Sequence, residues 1–117
     1  MKTLALLFLF FMPYLQAQEY ASLYFSGNCI SCHKINESQS APSVIEFKQR
    51  YKSTFSSKKE FIYYMSRWVF KPKKESSIMD EAVAEYGLMP ELAFELKTLE
   101  IIAEYIYDNN FTEQLDQ

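Results

Sequence analysis

The stretch "GNCISCHKI", residues 27–35, contains both cysteines of the chain and its single histidine. Cys29, Cys32 and His33 fall within five consecutive positions, and no other thiol or imidazole occurs elsewhere. Two thiols this close could form only a very small disulfide loop, which restricts the unfolded chain very little. A structural disulfide therefore explains the cluster poorly, and a chemical role explains it better.

Three chemical roles compete for this cluster. A structural zinc site needs four ligands, and the chain has no further cysteine or histidine to supply them. A redox dithiol is expected at a helix start that follows a strand, whereas residues 20–28 look helical and no strand-like run lies nearby. In covalent haem attachment, the two thiols add to the haem vinyl groups and the next histidine binds the iron. One tight turn suits this chemistry, so the cluster predicts one haem c on Cys29 and Cys32, with His33 as an iron ligand.

Residues 1–17 have the pattern of a secretory signal. Lys2 gives a charged start, an apolar run follows from Leu4 to Met12, and Ala17 is a small residue at the predicted cleavage site. The run is shorter than the roughly 20 residues that span a membrane. We therefore expect cleavage after Ala17 and a single domain over residues 18–117, with an uncleaved N-terminal anchor as the alternative. Export together with a c-type haem predicts a periplasmic protein.

The rest of the chain predicts an all-α fold. The chain has only two glycines, too few for a turn-rich β protein. Serine followed three residues later by glutamate predicts the starts of two helices. The expected helices run from about Glu19 to Gly27, Ser43 to Tyr51, Ser57 to Phe70, Ser77 to Tyr86, and Glu91 or Ala93 to Asp108.

The apolar spacing predicts which faces of the last three helices are buried. The third helix has Phe61, Tyr64, Met65 and Trp68 on one face, the fourth has Met79, Ala82, Val83 and Tyr86, and the fifth has Leu92, Leu96, Leu99, Ala103 and Ile106. Gly87 is expected to close the fourth helix in a left-handed conformation. These faces predict a small helical core, and an apolar haem would serve as its centre.

The second axial ligand of the iron must be a methionine or a lysine if that position is filled, because the chain has no second histidine. Met65 and Met79 lie in predicted helices, where ordinary core positions are expected. Met89 lies in the non-helical "GLMP", where an extended backbone can direct the thioether inward. We predict Met89 as the ligand, with Met79 and an open or lysine-filled position as alternatives.

This order of motifs resembles the class I monohaem c-type cytochromes. The resemblance rests on CxxCH near the mature N-terminus, then a proline-containing loop, a Met-Pro element and the final helix "EIIAEYIYD". It implies a small cytochrome c fold of about four to five helices around one covalently bound haem. The cysteines then match the thioether positions, and His33 and Met89 match the two axial ligands.

The resemblance also implies roles for several supporting residues. Pro42 matches a proline whose carbonyl accepts a hydrogen bond from the ligating imidazole. Trp68 resembles an indole that donates to a haem propionate in some members, with an ordinary core tryptophan as the alternative. Phe25, Ile102 and Tyr105 match residues at the contact of the first and last helices. Ala21 departs from the family, which usually has glycine there, and we expect a slightly wider helix crossing.

The charges are divided between two segments. Residues 47–74 contain nine basic residues and one acidic residue, whereas residues 75–117 contain eleven acidic residues and one basic residue. The negative net charge argues against a nucleic acid partner. Such a dipole would orient a small carrier toward a charged partner. We expect transient electrostatic docking to redox proteins or membrane respiratory complexes, with one pole, such as Lys71, Lys73 and Lys74, around the exposed haem edge.

These predictions together describe a soluble one-electron carrier of a respiratory chain, with no enzymatic activity and no small-molecule substrate. Filled axial positions would leave no iron site for a substrate. One alternative is a haem protein with an open or exchangeable distal site that binds CO, NO or peroxide. Another is a cytochrome subunit of a membrane respiratory complex, which would share the chemistry and differ in its partner.

Overall fold

The computed structural model describes residue 16 and residues 18–112, and this part of the chain contains helices and no strand. The helices are α1 over residues 18–28, α2 over Val44–Thr54, α3 over Lys58–Phe70, α4 over Asp80–Tyr86 and α5 over Leu96–Asp108. A 3-10 turn at Lys74–Ser76, which the sequence pattern did not predict, precedes α4. The predicted all-α class is confirmed.

The predicted signal segment, residues 1–17, lies outside the described residues except for Gln16. Residues 113–117, at the end of the predicted domain, also lie outside them. Within the described part of the chain, none of the helices combines the length and the hydropathy that crossing a membrane requires.

Serine caps start α2 and α3, as the sequence predicts. Ser43 Oγ accepts the backbone N–H of Glu46, and Ser57 Oγ accepts that of Glu60, each at 3.1 Å. These caps satisfy backbone donors that the first turn of a helix leaves unpaired. At α2, Ser38 completes the arrangement, because its hydroxyl donates to Glu46 Oε2 at 2.6 Å and accepts the Ser43 N–H at 2.9 Å.

The core lies mainly between α3 and α5, which are the main contacting helix pair. Its buried side chains include Phe61 and Met65 from α3, and Leu99, Ile102, Ala103 and Ile106 from α5. Phe25 of α1 joins this core, with its ring centroid 5.4 Å from that of Tyr105 on α5. Burying one such side chain stabilises the fold by roughly 1.5–3 kcal/mol. The contact fixes the end of α1 against α5, and the cysteines follow directly.

Two helices begin later than predicted, and in both cases side chains facing a cavity explain the difference. The prediction started α4 at Ser77, but Met79 is the residue before its first turn, with φ −126° and ψ 63°. The Met79 N–H bonds to Ser77 Oγ at 3.0 Å, an alternative to helix that serine side chains offer. The prediction started α5 at Glu91 or Ala93, but Leu92 and Phe94 line the cavity from irregular backbone. Burial in that cavity outweighs helix propensity.

Two further details of the helical prediction are wrong. Tyr64 was expected on the buried face of α3, but it is 48% exposed and its ring stacks on Phe55 at 4.3 Å. The small side chain of Ser66 is buried instead, with its hydroxyl donating to the carbonyl of Ile62. Helix α2 also continues past the predicted end at Tyr51 by three residues. Spacing alone therefore predicts too wide a buried face for α3, because a tyrosine at the edge of that face can keep its hydroxyl in water.

Candidate haem site

The turn after α1 brings the thiols and the imidazole together. The Cys29 N–H bonds to the Phe25 carbonyl at 2.9 Å and ends the helical ladder. The Cys29 carbonyl then accepts the N–H groups of Cys32, at 3.3 Å, and His33, at 2.9 Å. All three side chains line one cavity, so the cluster predicted from the sequence is also a cluster in space.

Cys29 and Cys32 do not form a disulfide with each other. Burial raises the pKa of the Cys29 thiol to about 11. The nucleophilic cysteine of a redox dithiol has a lowered pKa, since the thiolate is the reactive form. Among the described residues, no group of three or more histidine, cysteine or acidic side chains could hold a metal ion. The geometry therefore favours neither the zinc interpretation nor the dithiol interpretation.

His33 is held in one orientation. Its Nδ1 lies 2.7 Å from the Pro42 carbonyl oxygen, which can only accept, so Nδ1 carries the proton and donates. The resemblance implies this hydrogen bond, and the structure contains it. Burial lowers the pKa of His33, although its hydrogen bond to Pro42 acts in the opposite direction. A neutral ring with a protonated Nδ1 leaves the Nε2 lone pair available for a metal.

The start of α2 supports this orientation. The Ile45 N–H bonds to the Ile35 carbonyl at 3.1 Å, which ties the loop after His33 to the helix. The ring of Phe47 meets the imidazole edge-on, with centroids 5.1 Å apart and an interplanar angle of 80°. Pro42 lies between these contacts, directly before the cap Ser43. Helix α2 therefore positions both the acceptor of the imidazole proton and one wall beside the ring.

The cavity has a volume of about 260 Å³ and a mostly apolar lining. Three methionines contribute to it. Met65 of α3 and Met79 before α4 are 4% and 6% exposed, and Met89 is partly buried in the irregular residues 87–95. The predicted irregular backbone at Met89 is present, and Met79 shares that property because it lies before α4. The structure thus brings both candidate ligands to the same cavity as His33.

Trp68 also lines the cavity, but its N–H has a partner in the chain. Trp68 Nε1 donates to the Lys73 carbonyl at 3.0 Å and braces the turn after α3. A propionate acceptor, which the resemblance implies in some members, would have to share or replace this bond.

Several cavity residues were not singled out from the sequence, among them Phe47, Tyr51 and Ser66. Val44, Phe47 and Tyr51 are spaced by three and four residues on α2, so a search for an apolar stripe on that helix would have found two of them. Ser66 carries no sequence signal, because its burial depends on how closely α3 approaches its neighbours.

The residues present fit a haem. Two neighbouring thiols can add to the vinyl groups, a neutral imidazole with a free Nε2 can bind the iron, and an apolar cavity with three thioethers can surround the ring. These features define an all-α domain built to hold a covalently attached haem. The family model for cytochrome c matches residues 17–106, and the chain belongs to that family.

Membership makes the protein a c-type cytochrome with a covalently attached haem c, in agreement with the spacing of Cys29 and Cys32. The family is one of haem-based electron transfer, and its members are generally electron carriers rather than enzymes. The searches of curated proteins and of solved structures each find no match.

Proposed function

We propose that this protein is an exported, periplasmic one-electron carrier whose haem iron is ligated by His33 and Met89. One observation carries the proposal: the CxxCH turn and Met89, which lies in irregular backbone, both line the same apolar cavity. Haem supplies a one-electron exchange between its ferric and ferrous states. With both axial positions filled, no iron site remains for a substrate, so electron exchange with other redox proteins is the activity that such a site supports.

The chain's own residues have distinct tasks in this proposal. Cys29 and Cys32 would hold the ring at one edge, and the Pro42 carbonyl keeps the proton of His33 on Nδ1, which leaves Nε2 free to bind the iron. Met89 supplies a thioether, which raises the reduction potential relative to a second histidine. The mostly apolar lining would add to that effect, because low polarity disfavours the more highly charged ferric state.

Met89 is the preferred ligand over Met79 because its backbone is less constrained. Residues 88–91 make no backbone hydrogen bond with any described residue. Met79, in contrast, is held on both sides: Ser77 accepts its N–H, and Arg50 donates to the Ile78 carbonyl at 3.1 Å and to Glu81. An iron ligand must reach a set bond length, so a methionine whose backbone can adjust, such as Met89, is better suited than Met79.

Optical spectra of the holoprotein test the ligand set, recorded in both oxidation states with and without CO. We expect Met89→Ala to abolish the weak sulfur-to-iron band of the oxidised form and to admit CO, whereas Met79→Ala should leave both unchanged. The reverse pattern would assign the ligand to Met79. Ready CO binding and high-spin features in the unaltered protein would contradict the carrier proposal and place the protein among ligand-binding haem proteins.

We further propose that redox proteins or a respiratory complex dock by transient electrostatic attraction. Several basic residues of segment 47–74 already pair with acidic residues of the later segment: Arg50 with Glu81, Lys58 with Glu104 and Asp108, and Arg67 with Glu100. Lys71, Lys73 and Lys74 are exposed and follow the cavity residue Trp68, so they are placed to steer a partner. Changing all three to glutamate should lower the association rate and its dependence on ionic strength, and unchanged kinetics would exclude them from docking.

The proposed export has a direct measurement. Sequencing the N-terminus of the protein recovered from the periplasmic fraction should give Gln18 as the first residue if cleavage follows Ala17. A chain that retains residues 1–17 and sediments with membranes would indicate an anchor instead.

A further inference from the structure

One buried hydroxyl in the haem cavity has no hydrogen-bond partner among the described residues. Tyr51 of α2 lines the cavity and is 7% exposed. No described residue accepts a hydrogen bond from its hydroxyl, and burial raises the pKa of this phenol to about 12. Leaving a buried donor unpaired costs free energy, so folded proteins nearly always pair such groups. The hydroxyl of Tyr51 therefore needs a partner that the described chain does not supply.

The Tyr51 hydroxyl borders the cavity and not the packed core. In the part of the chain that the structure describes, every fully enclosed side-chain oxygen has a hydrogen-bond partner, so this unpaired hydroxyl reaches open space. The ring is held by its neighbours, with its centroid 5.7 Å from that of Phe55 and 5.9 Å from that of Phe61. Because the open space beside Tyr51 is the cavity, the missing partner belongs to the group that fills it.

The cavity lining supplies no lysine or arginine to the group that fills it. A haem carries two propionate carboxylates, and a carboxylate taken out of water needs hydrogen bonds or an opposite charge. The titratable side chains of the described lining are Cys29, Cys32, His33, Tyr51 and Tyr86. Burial lowers the pKa of His33, which favours its neutral form. A carboxylate inside this lining is therefore held by uncharged donors.

Most other uncharged donors of the lining already have acceptors within the chain. Backbone carbonyls accept hydrogen bonds from the side chains of Asn28, Ser40, Ser66 and Trp68. Ser77 and Tyr86 are only partly buried, so water can satisfy their hydroxyls. Tyr51 is thus the buried donor of the described lining that is left for the haem.

The position of Tyr51 on α2 favours a carboxylate over the axial thioether. The start of α2 lies on the His33 side of the site, through the Pro42 carbonyl and the ring of Phe47. Tyr51 follows Phe47 by one turn, about 6 Å along the helix axis, so its hydroxyl belongs to the same side. The second axial ligand would bind the iron from the opposite side of the ring, whereas the propionates lie at the ring edge and can be reached from either side.

We propose that the Tyr51 hydroxyl donates a hydrogen bond to a propionate carboxylate of the haem and thereby raises the reduction potential of the iron. A carboxylate near the iron stabilises the more highly charged ferric state by Coulomb attraction. A hydrogen bond withdraws part of that negative charge, so the ferric state loses some of this stabilisation. The proton stays on Tyr51, and no covalent bond changes. The proposal rests on the covalent haem, and its consequence for the potential rests on the electron-carrier function.

Infrared difference spectra between the oxidised and reduced holoprotein test the hydrogen bond, with the propionate carboxyls isotopically labelled to identify their bands. We expect Tyr51→Phe, which removes only the hydroxyl, to shift one carboxylate stretching band and to lower the reduction potential. The matched control is Tyr105→Phe, which removes a hydroxyl from a partly buried tyrosine outside the cavity lining. This control should leave both the band and the potential unchanged.

Other results would overturn the assignment. Unmoved carboxylate bands with a shifted sulfur-to-iron band in Tyr51→Phe would give the hydroxyl to the axial methionine, and no shift in either would give it to water. Equal shifts in Tyr51→Phe and Tyr105→Phe would show an indirect effect. A shifted carboxylate band with an unchanged potential would confirm the bond and exclude its effect on the iron. Failure of the carrier function is seen separately, as CO binding by the unaltered protein, and the carboxylate bands still report the Tyr51 bond in that case.

Discussion

Two segments that line the cavity are held in different ways. Residues 29–45, the His33 segment, are organised by local hydrogen bonds, from the Cys29 carbonyl to the Pro42 carbonyl that accepts the imidazole proton. Residues 77–95, the methionine segment, contain the short helix α4 and long irregular stretches that depend on contacts with other parts of the chain. The comparison teaches that the haem attachment is encoded locally, whereas the choice of the second ligand is a property of the tertiary structure.

The largest expected effect is the loss of haem attachment by the His33 segment. Changing Cys29 and Cys32 together to serine should abolish covalent haem, because a hydroxyl does not replace the thiol in forming a thioether. Haem staining of the denatured chain after electrophoresis measures this. Ser31→Ala, between the two cysteines, should retain full staining. Haem that stays on the doubly substituted chain would show that attachment does not use the CxxCH turn.

The next prediction concerns the methionine segment. Gly87 has φ 86° and ψ 172°, and its N–H caps α4 by bonding to the Val83 carbonyl. Gly87→Ala should cost about 1–3 kcal/mol of the free energy of unfolding, because a residue with a Cβ is strained at this backbone conformation. An added Cβ would meet no atom within 4 Å, so the expected cost is conformational and not steric. Urea denaturation of the holoprotein measures it.

The other glycine provides the control. Gly27 is helical, and an added Cβ there also meets nothing within 4 Å. Gly27→Ala should therefore stabilise the fold by up to about 1 kcal/mol, because alanine favours helix over glycine. Equal effects of the two substitutions would mean that the backbone angle at Gly87 does not matter to stability.

The same contrast explains what the sequence could predict. The CxxCH turn and the serine caps of α2 and α3 depend on residues within a few positions of one another, and these predictions agree with the structure. The predicted starts of α4 and α5 are wrong, because Met79, Leu92 and Phe94 line a cavity that no local sequence pattern describes. For the same reason the spacing of methionines could not decide between Met79 and Met89.

A smaller effect is expected from the cap that joins the His33 segment to α2. Ser43→Ala should cost about 1 kcal/mol through loss of the hydrogen bond to the Glu46 N–H. Because Pro42 directly precedes this cap, the imidazole should also be less firmly oriented, and acid should release His33 from the iron at a higher pH. A spectroscopic acid titration of the ferric holoprotein measures that release.

Ser57→Ala separates the two consequences. It removes the equivalent cap of α3, whose hydrogen bond has the same length, and should cost a similar free energy of unfolding. Ser57 does not line the cavity, so the acid titration should not change. A shifted titration in both variants would mean that acid release follows global stability and not the orientation of His33.

The smallest predicted effect tests how the methionine segment is held. Arg50 of α2 donates to the Ile78 carbonyl and to the Glu81 carboxylate, on either side of Met79. The hydrogen bond from Arg50 holds the pKa of Glu81 below its ordinary value. The stabilisation is therefore fully present above the ordinary carboxyl pKa and is lost as the pH falls through the lower, folded-state pKa. Glu81→Gln should lower the urea midpoint slightly at pH 7, since both side chains are partly exposed, and the difference from the unaltered protein should disappear as the pH falls below the folded-state pKa.

Glu75→Gln is the control for net charge, because it removes one exposed carboxylate outside any ion pair that the described residues form. It should leave the urea midpoint at pH 7 nearly unchanged. If Glu81→Gln leaves the urea midpoint at pH 7 unchanged, the ionised carboxylate contributes nothing, and the Arg50 bond to the Ile78 carbonyl alone holds this part of the chain. In that case the methionine segment would be held as the His33 segment is, by bonds to backbone carbonyls, and the contrast between the two segments would lie only in how far along the chain those bonds reach.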